Sequence, residues 1–268
     1  MSDLHMEAED FHPEHAPGAD LLVLAGDIDA RWFALEYFKH WPVPVIFVAG
    51  NHEFDRRDIE TAWPQLRALC SSYGIHLLEK ETLVLKQFPK VRFVGCTRWC
   101  DFDLLGEALR DKAMRAAKHY LQSAGMTRGG KVVDALGVRE LAIESRTWLA
   151  TTLSAIREST SIQAAQGGAA ASATGSATVI VAQKIVVITH FAPSPKSADP
   201  RYGLQPGTAG FCNQDEDLMQ GVDLWLHGHL HCTSNYQVGD CKVRANPRGY
   251  VRKNETLAFS PSLLIELA

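Results

Sequence analysis

The stretch Val43-Pro44-Val45-Ile46-Phe47-Val48-Ala49-Gly50-Asn51-His52-Glu53 joins an apolar run directly to a glycine, an amide, an imidazole and a carboxylate. A short run rich in Val and Ile, bounded by a turn residue, reads as a buried strand. Polar groups at the end of such a strand matter because α/β sheets bind ligands at the carboxyl ends of their strands. The same arrangement recurs on both sides of this stretch. The apolar run 21–25 leads into Gly26-Asp27, the run 184–189 into His190, and the run 222–226 into His227-Gly228-His229-Leu230-His231. Asp3-Leu4-His5 stands at the start of the sequence. Residues i and i+2 of a strand point to the same face, so Asp-x-His and His-x-His each present paired donors. Gly228 lets the backbone turn sharply and approach a ligand.

A further apolar run covers 91–95, and stretches of helical period fill 31–41, 57–73, 106–122 and 139–157. The closing part, 224–267, reads as β-rich, with turn signals at 238–240 and 246–249. Strands alternating with helices, followed by a β-rich end, predict an α/β domain with mixed sheets. Residues 164–178 are nearly all Ala, Gly, Ser, Thr and Gln, so a flexible low-complexity insertion is expected at about 160–180 within one domain spanning 1–268.

Composition bounds the reading. Of 268 residues, 46% are hydrophobic and 22% charged, the mix of a globular protein with a core rather than of a disordered chain. A net charge of −4, from 27 basic and 31 acidic residues, leaves no global footprint for nucleic acid or an acidic membrane. The first residues lack the basic and apolar regions of a signal peptide, and the charge-free stretch 159–183 is too polar and glycine-rich to span a bilayer. Six cysteines without a CxxC pair point to reduced thiols in a cytoplasm. Cys96 and Cys100 have the spacing of half a zinc site, but no second half follows.

Each motif alone has a plain structural reading: a turn for Gly26-Asp27, a hydrogen-bonded strand-end histidine for His190, a frayed end for Asp3 and His5. Together they set Asp, His, Asn and His donors in order on five separate elements. Carboxylate, amide and imidazole donors suit Mn, Fe or Zn.

The series DLH, GDI, GNHE, H and GHLH resembles the calcineurin-like metallophosphoesterase superfamily, in its stand-alone bacterial form, from residue 2 to about residue 250. Thr189-His190-Phe191-Ala192-Pro193 and Asn246-Pro247-Arg248-Gly249-Tyr250 are similar too. The resemblance implies a four-layer α-β-β-α sandwich with two mixed β-sheets and two metal ions at one edge. It implies that Asp3, His5, Asp27 and His231 hold one metal. Asp27, Asn51, His190 and His229 would hold the other, with Asp27 bridging. His52 matches the family's catalytic histidine, close to substrate and not a ligand, and His227 precedes the motif as a residue that backs the ligands or serves the structure. The implied reaction is hydrolysis of a small-molecule or nucleotide phosphomonoester or phosphodiester, a metal-bridging hydroxide attacking phosphorus in line. Glu53 either orients His52 or faces solvent.

Three departures qualify this picture. The family's protein serine/threonine phosphatases carry a second Asp and an Arg-Gly pair after the second motif; here Ala30 and Arg31-Trp32 stand there, against that route. The stretch Trp99-Cys100-Asp101-Phe102-Asp103 resembles a segment that some members place at the site mouth, with ordinary capping as the alternative. Finally, the family sets Asp-x-His at the end of an interior strand, yet only Met1 and Ser2 precede Asp3. Either the start codon is placed too far downstream or most of that strand is missing. Asp3 and His5 are then expected on a frayed terminus that holds its metal more weakly.

Two rival functions remain in play. A non-catalytic scaffold of the same fold would have lost His52 or several ligands, which are all present. A nuclease of the same superfamily needs a basic, aromatic-lined groove, for which Lys242, Arg244, Arg248, Arg252 and Lys253 form the candidate cluster.

Overall fold

Successive side chains of a strand face opposite sides of its sheet, and in this chain that alternation sets the layers. The computed structural model describes residues 1–167 and 184–267, with backbone alone for 160–167. In β1 (Leu22–Ala25) and β2 (Val45–Val48), Leu22, Leu24, Val45 and Phe47 enter one core while Ala25, Ile46 and Val48 enter another. With β3 (Ile75–Leu77) they form a three-stranded sheet of order β1-β2-β3, both pairings parallel.

The second sheet contains β4 (Glu81–Leu83), β5 (Val91–Cys96), β8 (Lys184–Thr189), β9 (Leu224–His227), β10 (Ser234–Val238) and β11 (Cys241–Ala245). Its order is β10-β11-β9-β8-β5-β4, with the edge strands β4 and β10 antiparallel and the others parallel. A small separate hairpin pairs β6 (Thr127–Arg128) with β7 (Lys131–Val132).

Three apolar clusters fill the spaces between layers. Between the sheets, Ala25, Ile46 and Val48 meet Phe93, Val186, Ile188 and Leu224. Helix α1 (Ile59–Tyr73) covers the smaller sheet with Ile59, Ala62, Leu66 and Cys70, a spacing that keeps them on one face. The Asp58 side chain accepts from Glu60 N at its start, and Gly74, at φ 72°, ends it. Helix α3 (Ala135–Gly167) covers the larger sheet, with Leu149, Leu153 and Ile156 against Val94, Val187, Trp225 and Val243. Helix α2 (Glu107–Ala124) buries Ala113 alone and packs on α3 and on the 3₁₀ turn Pro206–Gly210.

The layers are in the α-β-β-α order that the resemblance implied. The larger sheet is mixed, and the described strands of the smaller one all run parallel. The helical stretch 31–41 is a 3₁₀ helix at Phe33–Phe38, its first turn fixed by Asp29, whose carboxylate accepts from Arg31 N and Ala34 N. The β-rich reading of 224–267 holds through Ala245; beyond it, Val251–Lys253 and Thr256–Ala258 are 3₁₀ turns. Helix α3 extends to Gly167, and the remainder of the expected insertion lies outside the described residues. Among the described residues, no helix is long and apolar enough to cross a membrane.

The expectation of a frayed start is corrected. Residues 1–6 lie between the end of β1 and the segment after β11. Met1 pairs with β1 through its amine to Val23 O (2.8 Å) and its carbonyl to Ala25 N (2.9 Å). Asp3 N, His5 N and Met6 N donate to Gly26 O, Asp27 O and Ile28 O, while Ser2 O and Asp3 O accept from Arg248 N and Gly249 N. Asp3 and His5 are fully buried. With backbone partners on both sides, this segment is fixed, and the reason for a weaker Asp3/His5 metal site disappears.

A buried ion pair anchors the loops behind the site. Arg98 and Asp215, both fully buried, form two parallel bonds of 2.8 Å, and Arg98 also binds Trp99 O and Asp101. Next to it, Thr97 O accepts from His190 N and Phe191 N, so the pair backs the loop that carries His190. Removing one partner strands a buried charge. Asp215→Ala is therefore expected to lower stability by about 3–5 kcal/mol, read as a fall in the urea midpoint.

Candidate metal centre

The seven candidate ligands come from four connections at one end of the sheets and from the N-terminal segment. Asp27 follows β1, Asn51 follows β2, His190 follows β8, and His229 and His231 follow β9; Asp3 and His5 lie alongside on the N-terminal segment. Five of the seven, Asp3, His5, Asp27, His229 and His231, have φ between 47° and 75°. Left-handed backbone at non-glycine residues stores roughly 1–3 kcal/mol each and collects at functional sites. Here it turns the side chains back toward a common centre.

The donors form two overlapping groups. In one, Asp3, His5 and His231 bring ligand atoms together, with His5 Nε2 3.0 Å from His231 Nε2 and Asp3 Oδ1 3.5 Å from it. In the other, His190 Nε2 lies 3.2 Å from Asp27 Oδ2 and 3.2 Å from Asn51 Oδ1, and His229 completes the group. Asp27 also groups with His5 and His52. It therefore faces both sides.

Outer partners fix which ring nitrogen faces inward. His190 Nδ1 donates to Ala25 O (2.8 Å), His231 Nδ1 pairs with Glu255 Oε2 (2.6 Å), and His5 Nδ1 lies 3.1 Å from Glu7 Oε1 and 3.2 Å from the Tyr250 hydroxyl. Oxygen partners on Nδ1 leave Nε2 as the inward donor, the usual support of metal-binding histidines. The Nε2 atoms of His5 and His231 lie within reach of one cation. Burial would raise the Asp27 carboxyl, but His190 and His52 hold it well below the usual carboxylate range. Burial pushes His229 down to about 3, reinforced by His190, leaving its imidazole neutral and ligand-ready. The donor set fits divalent or trivalent cations, and exclusion of larger residues at Gly50 keeps it tight: a Cβ there would meet Asp27 Oδ1 at 2.2 Å.

Glu53 neither orients His52 nor faces solvent. It is fully buried, and its carboxylate accepts from Gly50 N (2.6 Å), Ile28 N (2.7 Å) and Asp27 N (3.0 Å), joining the loops after β1 and β2. Burial and nearby Asp27 push its pKa up to about 7 against the pull of these donors. The partner of His52 is Asp55, 2.7 Å from its Nδ1, while Nε2 lies 3.2 Å from the Tyr120 hydroxyl. His227 is buried outside the ligand groups, bonded to Ser197 Oγ (2.9 Å), as a structural residue. Trp99 and Phe102 are buried core residues, and Asp101 Oδ1 accepts from Asp103 N, so the loop is capped. Tyr250 closes the stretch 246–250 that the resemblance singled out, whereas Tyr120, Glu255, Glu7 and Asp55 carried no signal read from the sequence, although Glu7 and Asp55 sit two and three residues beyond a motif histidine.

This mixed α/β fold gathers carboxylate, amide and imidazole donors at the ends of its strands. The family model described as calcineurin-like phosphoesterase matches residues 1–111 of the 268. The matched stretch contains Asp3, His5, Asp27, Asn51 and His52; His190, His229 and His231 lie beyond it and join them in space. A protein of Acanthamoeba polyphaga mimivirus, uncharacterized protein L509, is 21% identical over 238 residues, covering 83% of this chain and 73% of the viral protein. The fold is similar to that of phosphopantetheinyl hydrolase (PptH) from Mycobacterium tuberculosis, with a TM-score of 0.63 at 18% identity over 94% of this chain and 89% of that one.

The Glu53 bonds generate a direct expectation. Glu53→Gln keeps the shape but turns an NH₂ toward backbone N–H groups, leaving at least one buried donor unsatisfied at about 1–3 kcal/mol. The variant is expected to melt earlier and to bind metal more weakly than wild type, measured by thermal unfolding and by metal content after dialysis.

Proposed function

We propose that the protein hydrolyses a phosphomonoester or phosphodiester of a small molecule or nucleotide with two metal ions, drawn from Mn, Fe and Zn. Asp3, His5, Asp27 and His231 would hold one ion and Asp27, Asn51, His190 and His229 the other. The observation that carries the reading is the double membership of Asp27, whose carboxylate meets donor groups on both sides. Bound there, the ions would supply Lewis acidity at the phosphoryl oxygens and an activated water for in-line attack.

The chain's own residues supply the rest. His52 N donates to Asp27 Oδ1 (2.9 Å), which fixes the backbone of the loop, and Asp55 holds Nδ1. That leaves His52 Nε2 as the proton-bearing atom toward a leaving alkoxide, the geometry of a general acid. Burial would lower the His52 pKa, but Asp27 and Asp55 raise it to about 10, so the imidazolium is the stable form in the field of this chain's charges at neutral pH.

A nuclease reading finds little support in the basic cluster. Arg248 is buried and pairs with Glu9 (3.3 Å), Arg244 binds Tyr236 O and Val243 O, and Arg252 and Lys253 lie over the Tyr250 ring. The six free cysteines fit a reducing cytoplasm.

The test is metal analysis combined with hydrolysis of p-nitrophenyl phosphate and bis-p-nitrophenyl phosphate. Asp27→Ala is expected to lose both ions, and retention of two tightly bound ions would refute the bridging role. His52→Ala is expected to keep its metal and to lose about 10²–10⁴ in turnover; loss of metal with activity would instead make His52 a ligand.

A further inference from the structure

Helix α2 carries a side chain into the centre from a part of the chain without any metal motif. Gly125, at φ 62°, ends the helix, and the last turn holds Tyr120 over the loop after β2. The Tyr120 hydroxyl accepts from Asn51 Nδ2 and lies 3.2 Å from His52 Nε2, and its ring meets the His52 ring edge to face at 5.9 Å. Tyr120 is 41% exposed as a residue, and its hydroxyl bonds direct it toward the centre.

An amide has two unlike ends. With Nδ2 held by an oxygen acceptor, Asn51 must turn Oδ1 toward His190 Nε2, where it lies at 3.2 Å. A flipped amide would point NH₂, which cannot ligate a cation, at that place. The same hydroxyl has lone pairs and one hydrogen, so it satisfies His52 Nε2 whether that atom is bare or protonated. One oxygen thus bridges the group proposed as a ligand and the group proposed as general acid.

From this geometry we infer that Tyr120 is a positioning residue: its hydroxyl sets the Asn51 amide with Oδ1 toward the metal and holds His52 Nε2 at the mouth of the centre. The inference rests on the two-ion reading above. It makes the Asn51/His190/His229 site depend on a helix that packs on α3 and the Pro206–Gly210 turn and whose last carbonyl, Ala124 O, accepts from Arg56 N (2.8 Å).

The test is Tyr120→Phe, which keeps the ring and removes the hydroxyl. Mn²⁺ binding to the full chain, titrated by calorimetry with free Mn²⁺ counted by electron paramagnetic resonance, is expected to show one of two sites weakened by about 10–100-fold, the usual span for an outer partner of a ligand. The other site should be unchanged, and the melting temperature of the metal-free protein should stay at the wild-type value. At saturating Mn²⁺, kcat for bis-p-nitrophenyl phosphate should fall more than KM changes. Asn51→Asp supplies a second arm, because a carboxylate has no wrong end. In that background, Tyr120→Phe should weaken Mn²⁺ by less than about threefold, much of the 10–100-fold effect being gone.

Two intact Mn²⁺ sites in Tyr120→Phe would overturn the inference, as would equal weakening of both sites with a lower melting temperature. An undiminished loss in the Asn51→Asp background would overturn the amide-setting role. Failure of the wild type itself to bind two ions would instead refute the proposed function on which the inference stands.

Discussion

The Glu53 carboxylate takes hydrogen bonds from Gly50 N, Ile28 N and Asp27 N inside a space closed to water. Every other feature of the centre depends on this junction. It locks the connection after β1, which carries Asp27, against the connection after β2, which carries Asn51 and His52. It also satisfies three backbone donors that would be orphaned where two loops turn inward together. A buried carboxylate is costly, and its raised pKa of about 7 records that cost. Three converging N–H groups offset it, and the Trp32 indole N–H adds a bond to Glu53 O (2.9 Å) that fixes the same turn.

Around this junction the backbone is held in conformations that L-residues avoid. Left-handed φ at Asp3, His5, Asp27, His229 and His231 has a local energetic cost that only surrounding structure maintains. The layers provide that support. Strands β1 and β2 are packed on both faces, and β8 and β9 enter from the second sheet with Val186, Ile188 and Leu224 against the first. Rigid strands end at fixed points, so their connections converge on a fixed centre. The rings of His190, His231 and His5 are then oriented by Ala25 O, by Glu255, and by Glu7 and Tyr250.

The N-terminal segment illustrates how far tertiary contact overrides local expectation. A two-residue lead before Asp3 gives no strand-forming run to read. Pairing of Met1 with Val23 and Ala25, and of Ser2 and Asp3 with Arg248 and Gly249, nevertheless buries Asp3 and His5 completely. The partners are more than twenty residues away on one side and more than two hundred on the other.

Much of the fold and most of the centre were legible in the sequence, for a physical reason. A buried strand needs a continuous apolar run, and a ligand at its end needs a small, fixed set of side chains, so the junctions at Gly26-Asp27, Gly50-Asn51-His52, His190 and His229-Leu230-His231 announce themselves one strand at a time. Helices α1, α2 and α3 were visible through their period, while β3, β4, β6 and β7, three residues or fewer, are too short to carry one. What only the tertiary structure decided is which distant groups meet. Glu53 as a clamp, Asp55 and Tyr120 on His52, Glu255 on His231 and the burial of Asp3 and His5 are contacts between surfaces. No local pattern encodes them, because each side chain is ordinary in its own segment and acquires its role from the residue placed opposite.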